Sequence, residues 1–172
     1  MIFPQIFTAV TPLVQMDTRE AVDRSGGNPL ADLASLRTVK GPAGVVRREH
    51  FVTPAANQGG LAKAKVYLLT SSRTASAAEH LAMSLKRTHR ATLVGETTLG
   101  AGHYGRMVPL DDSFTYAAFI PVGRTFDPDT NEGWEGTGVK PDVAVPADKA
   151  LDEALKLAGV ATSGDAALAA LR

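Results

Sequence analysis

The feature that most constrains this chain is a short apolar run that ends in a polar turn and continues into a helix beginning at a serine. Residues 65–69 form a short, mostly apolar segment of the kind that makes a buried strand, and the polar turn 70–75 leads from it to Ser76. Apolar residues then recur with helical spacing over about 76–88, at Ala78, Leu81, Ala82 and Leu85. Such a corner places the Ser76 hydroxyl at the tip of a sheet, beside the positive end of a helix dipole.

The spacing leaves two interpretations of Ser76 open. Ser76 and Glu79 match a capping box, and on that interpretation Ser76→Ala would cost about 1 kcal/mol of stability. The same position suits a nucleophile, because a helix N-terminus stabilises negative charge that develops on a bound carbonyl oxygen. The Ala77 N–H is then the first candidate donor of an oxyanion hole, with Gly26 or Gly27 as the second.

A serine nucleophile needs a base, and the histidines are the candidates: His50, His80, His89 and His103. His80 follows Ser76 by one turn, but its ring is expected to point along the helix. His103 lies in a glycine loop after the second predicted strand, so we expect it at the same sheet edge as Ser76. Glu135 stands between a tryptophan and a glycine, where a carboxylate can orient a base, hold substrate or be a solvated loop charge.

The rest of the chain divides near residue 64. Residues 1–64 are predicted to be an irregular N-terminal segment rich in Gly and Pro turns, with one short helix around 30–36. Residues 65–160 form the predicted catalytic core, in which strand, helix and strand make a parallel βαβ unit. Its elements are strands at 65–70, 91–95, 106–110, 114–121 and 142–145 and helices at 76–88 and 147–158; a helical tail is predicted over 161–172.

Composition excludes several function classes. The 18 basic and 18 acidic side chains cancel without a basic stripe, which disfavours a nucleic-acid partner. No apolar run is long enough to span a membrane, and residues 1–14, apolar but broken by two prolines, make a poor signal peptide and suggest a strand. The chain has no cysteine and no metal-ligand, P-loop or dinucleotide pattern, so no metal or other cofactor is predicted.

Four blocks in order, over about half the chain, carry a resemblance to a known family: Val66–Glu79, Arg90–Thr98, Gly100–His103 and Trp134–Asp142. The chain resembles the tail-specific (C-terminal-processing) serine peptidases, in the branch similar to interphotoreceptor retinoid-binding protein and the tricorn protease core. The resemblance implies a crotonase-like α/β core of ββα units, with a mainly parallel sheet flanked by helices. It also implies hydrolysis of peptide bonds through an acyl-enzyme. Ser76 matches the nucleophile, Glu135 the acidic residue that assists the histidine, and His103 a characteristic loop position.

The chain also departs from the pattern of this family. The position of the lysine base in one branch is Ala101 here, and residues 22–27 only echo the family's oxyanion-hole strand end. A truncated or degenerate member is therefore predicted, with no identifiable general base. A serine peptidase acting on peptides or proteins, a non-catalytic module that binds an apolar ligand or peptide, and an inactive remnant all stay open. Oligomerisation is possible, and the resemblance suggests an exported or periplasmic protein despite the lack of a visible signal peptide.

Overall fold

A five-stranded antiparallel sheet forms the larger layer of the computed structural model, which describes residues 2–171. Its strands are β1 (Thr11–Arg19), β2 (Leu36–Val39), β3 (Val45–Val52), β6 (His103–Pro109) and β7 (Ala117–Phe126). Their order is β2-β3-β1-β7-β6, and the central strand β1 pairs antiparallel with both β3 and β7. Because β1 joins strands from both parts of the chain, one sheet crosses the predicted boundary near residue 64.

A smaller parallel sheet carries the predicted βαβ unit. Strands β4 (Tyr67–Thr70), β5 (Thr92–Gly95) and β8 (Val143–Ala144) lie in that order, and helix α3 (Ala77–Arg87) connects the first two. The predicted strand–helix–strand order is thereby confirmed. Gly95 ends β5 with φ 136°, and a Cβ there would lie 2.0 Å from the Thr70 carbonyl oxygen, so the close pairing of the two strand ends requires glycine.

The remaining elements are short. Helices α1 (Phe3–Ile6) and α2 (Glu20–Arg24) flank β1, helix α4 (Ala150–Ala158) follows β8, and 3₁₀ turns form at Gly59–Ala62 and Ala147–Lys149. The predicted helical tail 161–172 contains α5 (Gly164–Ala169). Met1 and Arg172, which belong to the predicted first strand and the predicted tail, fall outside the described residues. Within residues 2–171, no helix combines the length and hydropathy needed to cross a bilayer.

Three predictions about the fold are wrong: the parallel main sheet, the irregular N-terminal segment and the helix around 30–36. The main sheet is antiparallel, not parallel, because the neighbours of its central strand run opposite to it and β6 and β7 are joined by a short hairpin. The crotonase-like ββα detail is not confirmed. Residues 1–64 are not irregular, since they supply three strands of this sheet, and residues 30–35 form turns where a helix was predicted.

The core fixes where α3 begins. Leu85 on α3 packs against Phe7, Leu13 and Val52 on the side of the antiparallel sheet. Ala82, almost one turn earlier in the same apolar stripe, packs against Leu93 of β5 and against residues of the segment that follows β7. Burying a leucine side chain such as that of Leu85 contributes roughly 1.5–3 kcal/mol of stability. Helix α3 is thus held between the two sheets, and its N-terminus is a fixed point of the molecule.

Candidate active site

Ser76 lies immediately before α3 in a backbone conformation that L-residues rarely adopt. Its φ is 55° and its ψ is −116°, and its side chain is exposed at the wall of a cleft. A non-glycine residue held at positive φ carries strain of roughly 1–3 kcal/mol and persists only where its surroundings fix it. Ser76 and Glu79 form the predicted capping box, in which the Ser76 N–H donates to the Glu79 carboxylate at 2.8 Å.

The carboxylate of Glu79 is what fixes this corner. It is fully buried and accepts four hydrogen bonds. Oε2 accepts from the backbone N–H groups of Ser76 and Ala101, both at 2.8 Å. Oε1 accepts from the Thr98 hydroxyl at 2.5 Å and from Gly100 N–H at 2.6 Å. The start of α3 and the glycine loop after β5 are therefore joined through one side chain.

The two predicted oxyanion-hole residues lie in different surroundings. Ala77 is the first residue of α3, and its N–H has no backbone acceptor among the described residues. It lines the cleft beside Ser76. Gly27 is buried outside the lining of the cleft, and its N–H donates to the Val22 carbonyl at 2.9 Å. Ala77 is thus available as a donor at the cleft, whereas Gly27 is already paired elsewhere.

The cleft in front of Ser76 has a volume of about 410 Å³ and mostly apolar walls. It lies between the antiparallel sheet, the start of α3 and the turn segment 30–36. Among the described residues, no Asp, Glu, Lys or Arg lines it, and its titratable side chains are His50, His80, His103 and Tyr104. The apolar part of the wall comes from Phe3, Met16, Leu30, Leu33, Leu36 and Leu81.

Two of the three histidines in the cleft contact each other. Nδ1 of His50, on β3, lies 2.7 Å from Nε2 of His80, on α3. Burial lowers the pKa of His50 to about 4, and burial together with the neighbouring imidazole lowers the pKa of His80 to about 3. Both rings are therefore neutral at pH 7. No hydrogen bond joins either ring to the Ser76 hydroxyl in the described part of the chain.

The third histidine, His103, lies beside Glu135, a pairing that the sequence did not predict. Its Nδ1 is 3.7 Å from Glu135 Oε2, and both side chains are close to half exposed. The same carboxylate oxygen accepts the backbone N–H groups of Gly102 and His103, at 2.7 and 2.8 Å. Glu135 therefore shapes the loop that carries His103 as well as facing its ring.

Hydrogen bonds of the Trp134 indole and the Thr98 hydroxyl hold the segment after β7 against the glycine loop after β5. The buried Trp134 donates from Nε1 to the Ala101 carbonyl at 3.2 Å. The Thr98 hydroxyl accepts from Val139 N–H at 2.7 Å. Gly138 has φ 70°, and a Cβ there would lie 2.2 Å from the Thr98 carbonyl oxygen, so only glycine permits this approach.

The sequence interpretation missed two parts of the site. It treated Glu79 only as a cap, although a buried carboxylate at the start of a helix has capacity for more than two donors. It did not place His50, and it expected the ring of His80 to point away. Side chains in an α-helix tilt toward its N-terminus, and this rule could have placed the His80 ring near the start of α3. No local signal locates His50, because its position depends on how β3 packs.

Several solved structures share this fold at low identity. The photosystem II D1 C-terminal processing protease has a TM-score of 0.55 and 21% identity, with 84% of this chain and 30% of that one covered. Mature CPAF complexed with lactacystin has a TM-score of 0.66 and 15% identity, with coverages of 91% and 40%. A lipoprotein from Streptococcus agalactiae has a TM-score of 0.52 and 15% identity, with coverages of 84% and 44%. The chain therefore spans less than half the length of each of these structures.

The family follows from a direct match to the sequence. The model of peptidase family S41 matches residues 7–145, which is most of the chain and includes Ser76, His103 and Glu135. The match extends the resemblance beyond the four blocks, into the strands of the antiparallel sheet. This chain therefore belongs to peptidase family S41, the tail-specific (C-terminal-processing) proteases.

Proposed function

We propose that this chain is the catalytic part of a serine peptidase, with Ser76 as the nucleophile. The observation that carries the proposal is the exposed Ser76 hydroxyl, held at a strained corner and facing a cleft that also contains three histidine rings. Capping alone does not explain this conformation, because N-cap residues ordinarily lie in the β region of backbone space. Strain that is maintained beside a cleft is typical of a reactive group.

His103 is the proposed base. With Nδ1 turned toward Glu135, its Nε2 remains available to take the proton of the Ser76 hydroxyl. The Ser76 oxygen then attacks the peptide carbonyl carbon, and the carbonyl oxygen becomes an oxyanion. The imidazolium returns the proton to the leaving amine as the carbon–nitrogen bond breaks and the acyl-enzyme forms. Water, deprotonated by the same imidazole, hydrolyses the ester and restores the Ser76 hydroxyl.

The Ala77 N–H is the proposed donor to the oxyanion. It stands at the N-terminus of α3, where the helix dipole favours negative charge. Removing one such donor from an acyl-transfer site costs about 10²–10³ in rate, so its fixed placement matters. Glu79 holds it indirectly, because it binds the N–H of the preceding residue and thereby fixes the peptide that leads into the helix.

The substrate proposed for this site is a peptide or protein segment, and no cofactor enters the chemistry. A fluorophosphonate probe tests the nucleophile, because it forms a covalent adduct only with an activated serine. We expect labelling of the wild-type chain at Ser76 and none of Ser76→Ala. Ser113→Ala, which removes an exposed serine from the turn between β6 and β7, is the matched control and should label as the wild type does. Absence of label on folded wild-type protein would favour the alternative, a non-catalytic module that binds an apolar ligand or peptide.

The base is tested separately by His103→Gln. General base catalysis contributes typically 10²–10⁴-fold, so the labelling rate should fall by about 10³-fold while the fold is retained, since the side chain is half exposed. Glu135→Gln should slow labelling less, because it leaves the imidazole in place. A His103→Gln variant that labels at the wild-type rate would remove His103 from the mechanism.

A further inference from the structure

The outer part of the β6–β7 hairpin projects from the antiparallel sheet. In the described structure β7 pairs with β1 only through residues 123–126. Residues 105–121, here called the arm, are therefore a two-stranded ribbon in which each strand pairs only with the other. An isolated two-stranded hairpin is marginally stable at best in water. The arm therefore gains stability from a surface that covers it.

One face of the arm carries no polar side chain. Met107 and Phe119 are direct partners in the ladder, so their side chains lie on the same face. The register places six uncharged residues on that face: Gly105, Met107, Pro109, Ala117, Phe119 and Pro121. A Cβ at Gly105 would lie 2.9 Å from the Phe119 ring, so glycine at this position lets the ring lie across the neighbouring strand. The result is an apolar sheet face of the kind that packs on another sheet.

The turn at the tip of the arm is fixed by hydrogen bonds and displays further apolar side chains. Asp111 accepts from Tyr116 N–H at 3.1 Å and from the Ser113 hydroxyl at 2.7 Å. Phe114 has φ 59°, a conformation that strains a bulky residue, and its side chain is exposed. Packing within the described chain does not explain why a strained turn holds a phenylalanine in solvent.

The exposed apolar surface of the arm has the size of a protein interface. Six of its large apolar side chains are 44–70% exposed: Met107, Leu110, Phe114, Tyr116, Phe119 and Ile120. At roughly 200 Å² for each side chain, the arm leaves about 700 Å² of this surface open to solvent. The largest apolar patch of a typical monomer is about 300–600 Å². A standard interface buries about 800 Å² on each partner, so the arm can supply most of one side of a dimer.

The charges at the two ends of the arm have opposite signs. The tip carries Asp111 and Asp112. At the root, Arg47 and Arg124 together carry one positive charge more than the single Asp17 that they bind. Two arms that lie antiparallel therefore bring each acidic tip toward a basic root. The arm is thus complementary in charge to a second copy of itself.

From these observations we infer that the arm is a self-association surface, through which two copies of this chain form a symmetric dimer. The apolar faces pack against each other across a twofold axis, with Met107 and Phe119 at the centre of the contact. An anionic lipid surface fits less well, because it would repel the acidic tip. The inference does not depend on the proposed peptidase activity, since residues 105–121 lie outside the lining of the Ser76 cleft.

Sedimentation velocity of the whole chain, over about 1–200 μM, tests the dimer. We expect the mass to rise reversibly with concentration toward twice the 18.0 kDa of one chain. Phe119→Asp should raise the dissociation constant about 30-fold or more, because it places two like charges in the centre of the contact. Leu168→Asp is the matched control, since it changes an apolar residue of similar exposure on α5, and it should dimerise as the wild type does.

Charge reversal at the tip tests the antiparallel arrangement. Asp112→Lys should raise the dissociation constant about fivefold, whereas Asp148→Lys, at an exposed aspartate outside the arm, should leave it unchanged. Equal constants for Asp112→Lys and the wild type would contradict the antiparallel arrangement.

Hydrogen exchange on the wild-type chain covers the case in which Phe119→Asp does not fold. The backbone amides of the arm should exchange more slowly at the highest concentration than at the lowest. Three results would overturn the inference: a single-chain species at every concentration, an unchanged dissociation constant in folded Phe119→Asp, or exchange in the arm that does not depend on concentration.

Discussion

Two regions of this molecule hold a buried carboxylate in opposite ways. At the start of α3, Glu79 is fully buried and is bonded only by uncharged donors, three backbone N–H groups and one hydroxyl. In the antiparallel sheet, Asp17 is 8% exposed and is bonded by two guanidinium groups, those of Arg47 and Arg124. The first arrangement positions backbone, and the second ties neighbouring strands together through side chains.

The difference lies in what each set of donors can do when the carboxylate is lost. The backbone groups around Glu79 are fixed by the loop and cannot turn to water. The side chains of Arg47 and Arg124 are 20% and 41% exposed, and both lie over the ring of Phe126 at 4.8 and 4.3 Å, so they keep solvent and a stacking partner. The active-site corner is therefore expected to be the less tolerant of the two regions.

The largest expected effect is that of Glu79→Gln. With the amide nitrogen in place of Oε2, the N–H groups of Ser76 and Ala101 lose their acceptor and face another donor. With it in place of Oε1, the N–H of Gly100 does so, while the Thr98 hydroxyl can turn to accept. With roughly 1–3 kcal/mol for each buried group left unpaired, the free energy of unfolding should fall by about 3 kcal/mol or more. Urea denaturation measures the loss, and fluorophosphonate labelling of Ser76 should fall with it. A loss under about 1 kcal/mol would mean that the loop does not depend on this carboxylate.

The next largest effect is the loss of stability on acidification, which comes from the histidines of the cleft and not from the carboxylate of the sheet. The folded pKa values of His50 and His80, about 4 and 3, lie below the unfolded value near 6.5, so the unfolded chain binds more protons below pH 6.5. Their contribution is complete above pH 6.5 and is lost as the pH falls toward 4. Between pH 6.5 and 5 the two rings together should lower the free energy of unfolding by about 3 kcal/mol.

The control for this pH dependence is His80→Phe, which keeps an aromatic ring in the same place. Its unfolding free energy should fall less steeply over the same interval, as followed by urea titrations at several pH values. Identical slopes for the two proteins would assign the acid sensitivity to other groups.

A smaller loss is expected when the sheet's own carboxylate is changed. Asp17→Asn removes the charge that holds the pKa of Arg47 above its ordinary value, but both arginines can reach water. The free energy of unfolding should fall by about 1 kcal/mol, with labelling of Ser76 unchanged. Chemical denaturation of Asp17→Asn and Glu79→Gln under the same conditions compares the two losses of unfolding free energy. Equal losses would contradict the proposed difference between the two regions.

The smallest effects concern Ser76 itself. Ser76→Ala removes the hydroxyl half of the capping box and should lower the free energy of unfolding by about 1 kcal/mol or less. Ser76→Gly should melt at a higher temperature than Ser76→Ala, since glycine adopts φ 55° without strain, by an amount equivalent to about 0.5–1 kcal/mol. Equal melting temperatures for the glycine and alanine variants would argue that the corner is not strained.

The features that could be predicted from the sequence are those that a local residue pattern determines. The βαβ unit and the corner at Ser76 follow from apolar spacing and turn residues, and the family follows from four short blocks. The larger sheet could not be predicted in the same way, because β1 pairs with β7 more than a hundred residues later. Strand β3 could not be recognised either, because it contains the charged residues Arg47, Arg48 and Glu49. These residues form ion pairs with residues on other elements.

The site shows the same division. The glycine loop that leads to His103 could be placed near Ser76 in advance, because the ends of neighbouring parallel strands lie at one sheet edge, but the contact of His103 with Glu135 could not. The contact between His50 and His80 could not be predicted either, since it depends on the packing of β3 against α3. The positive φ of Ser76 was hidden as well, because serine has no local preference for it and the tertiary structure imposes it.

The central place of β1 has a consequence for how the chain is made. On the ribosome, β1 and β3 emerge early and can pair as soon as both are free, but β7 is synthesised much later. Until then one side of β1 offers unpaired backbone groups to any neighbouring chain, and pairing over such sequence distances is intrinsically slow. Nascent chains stalled before residue 117 should therefore be the species most prone to aggregate and most dependent on chaperones.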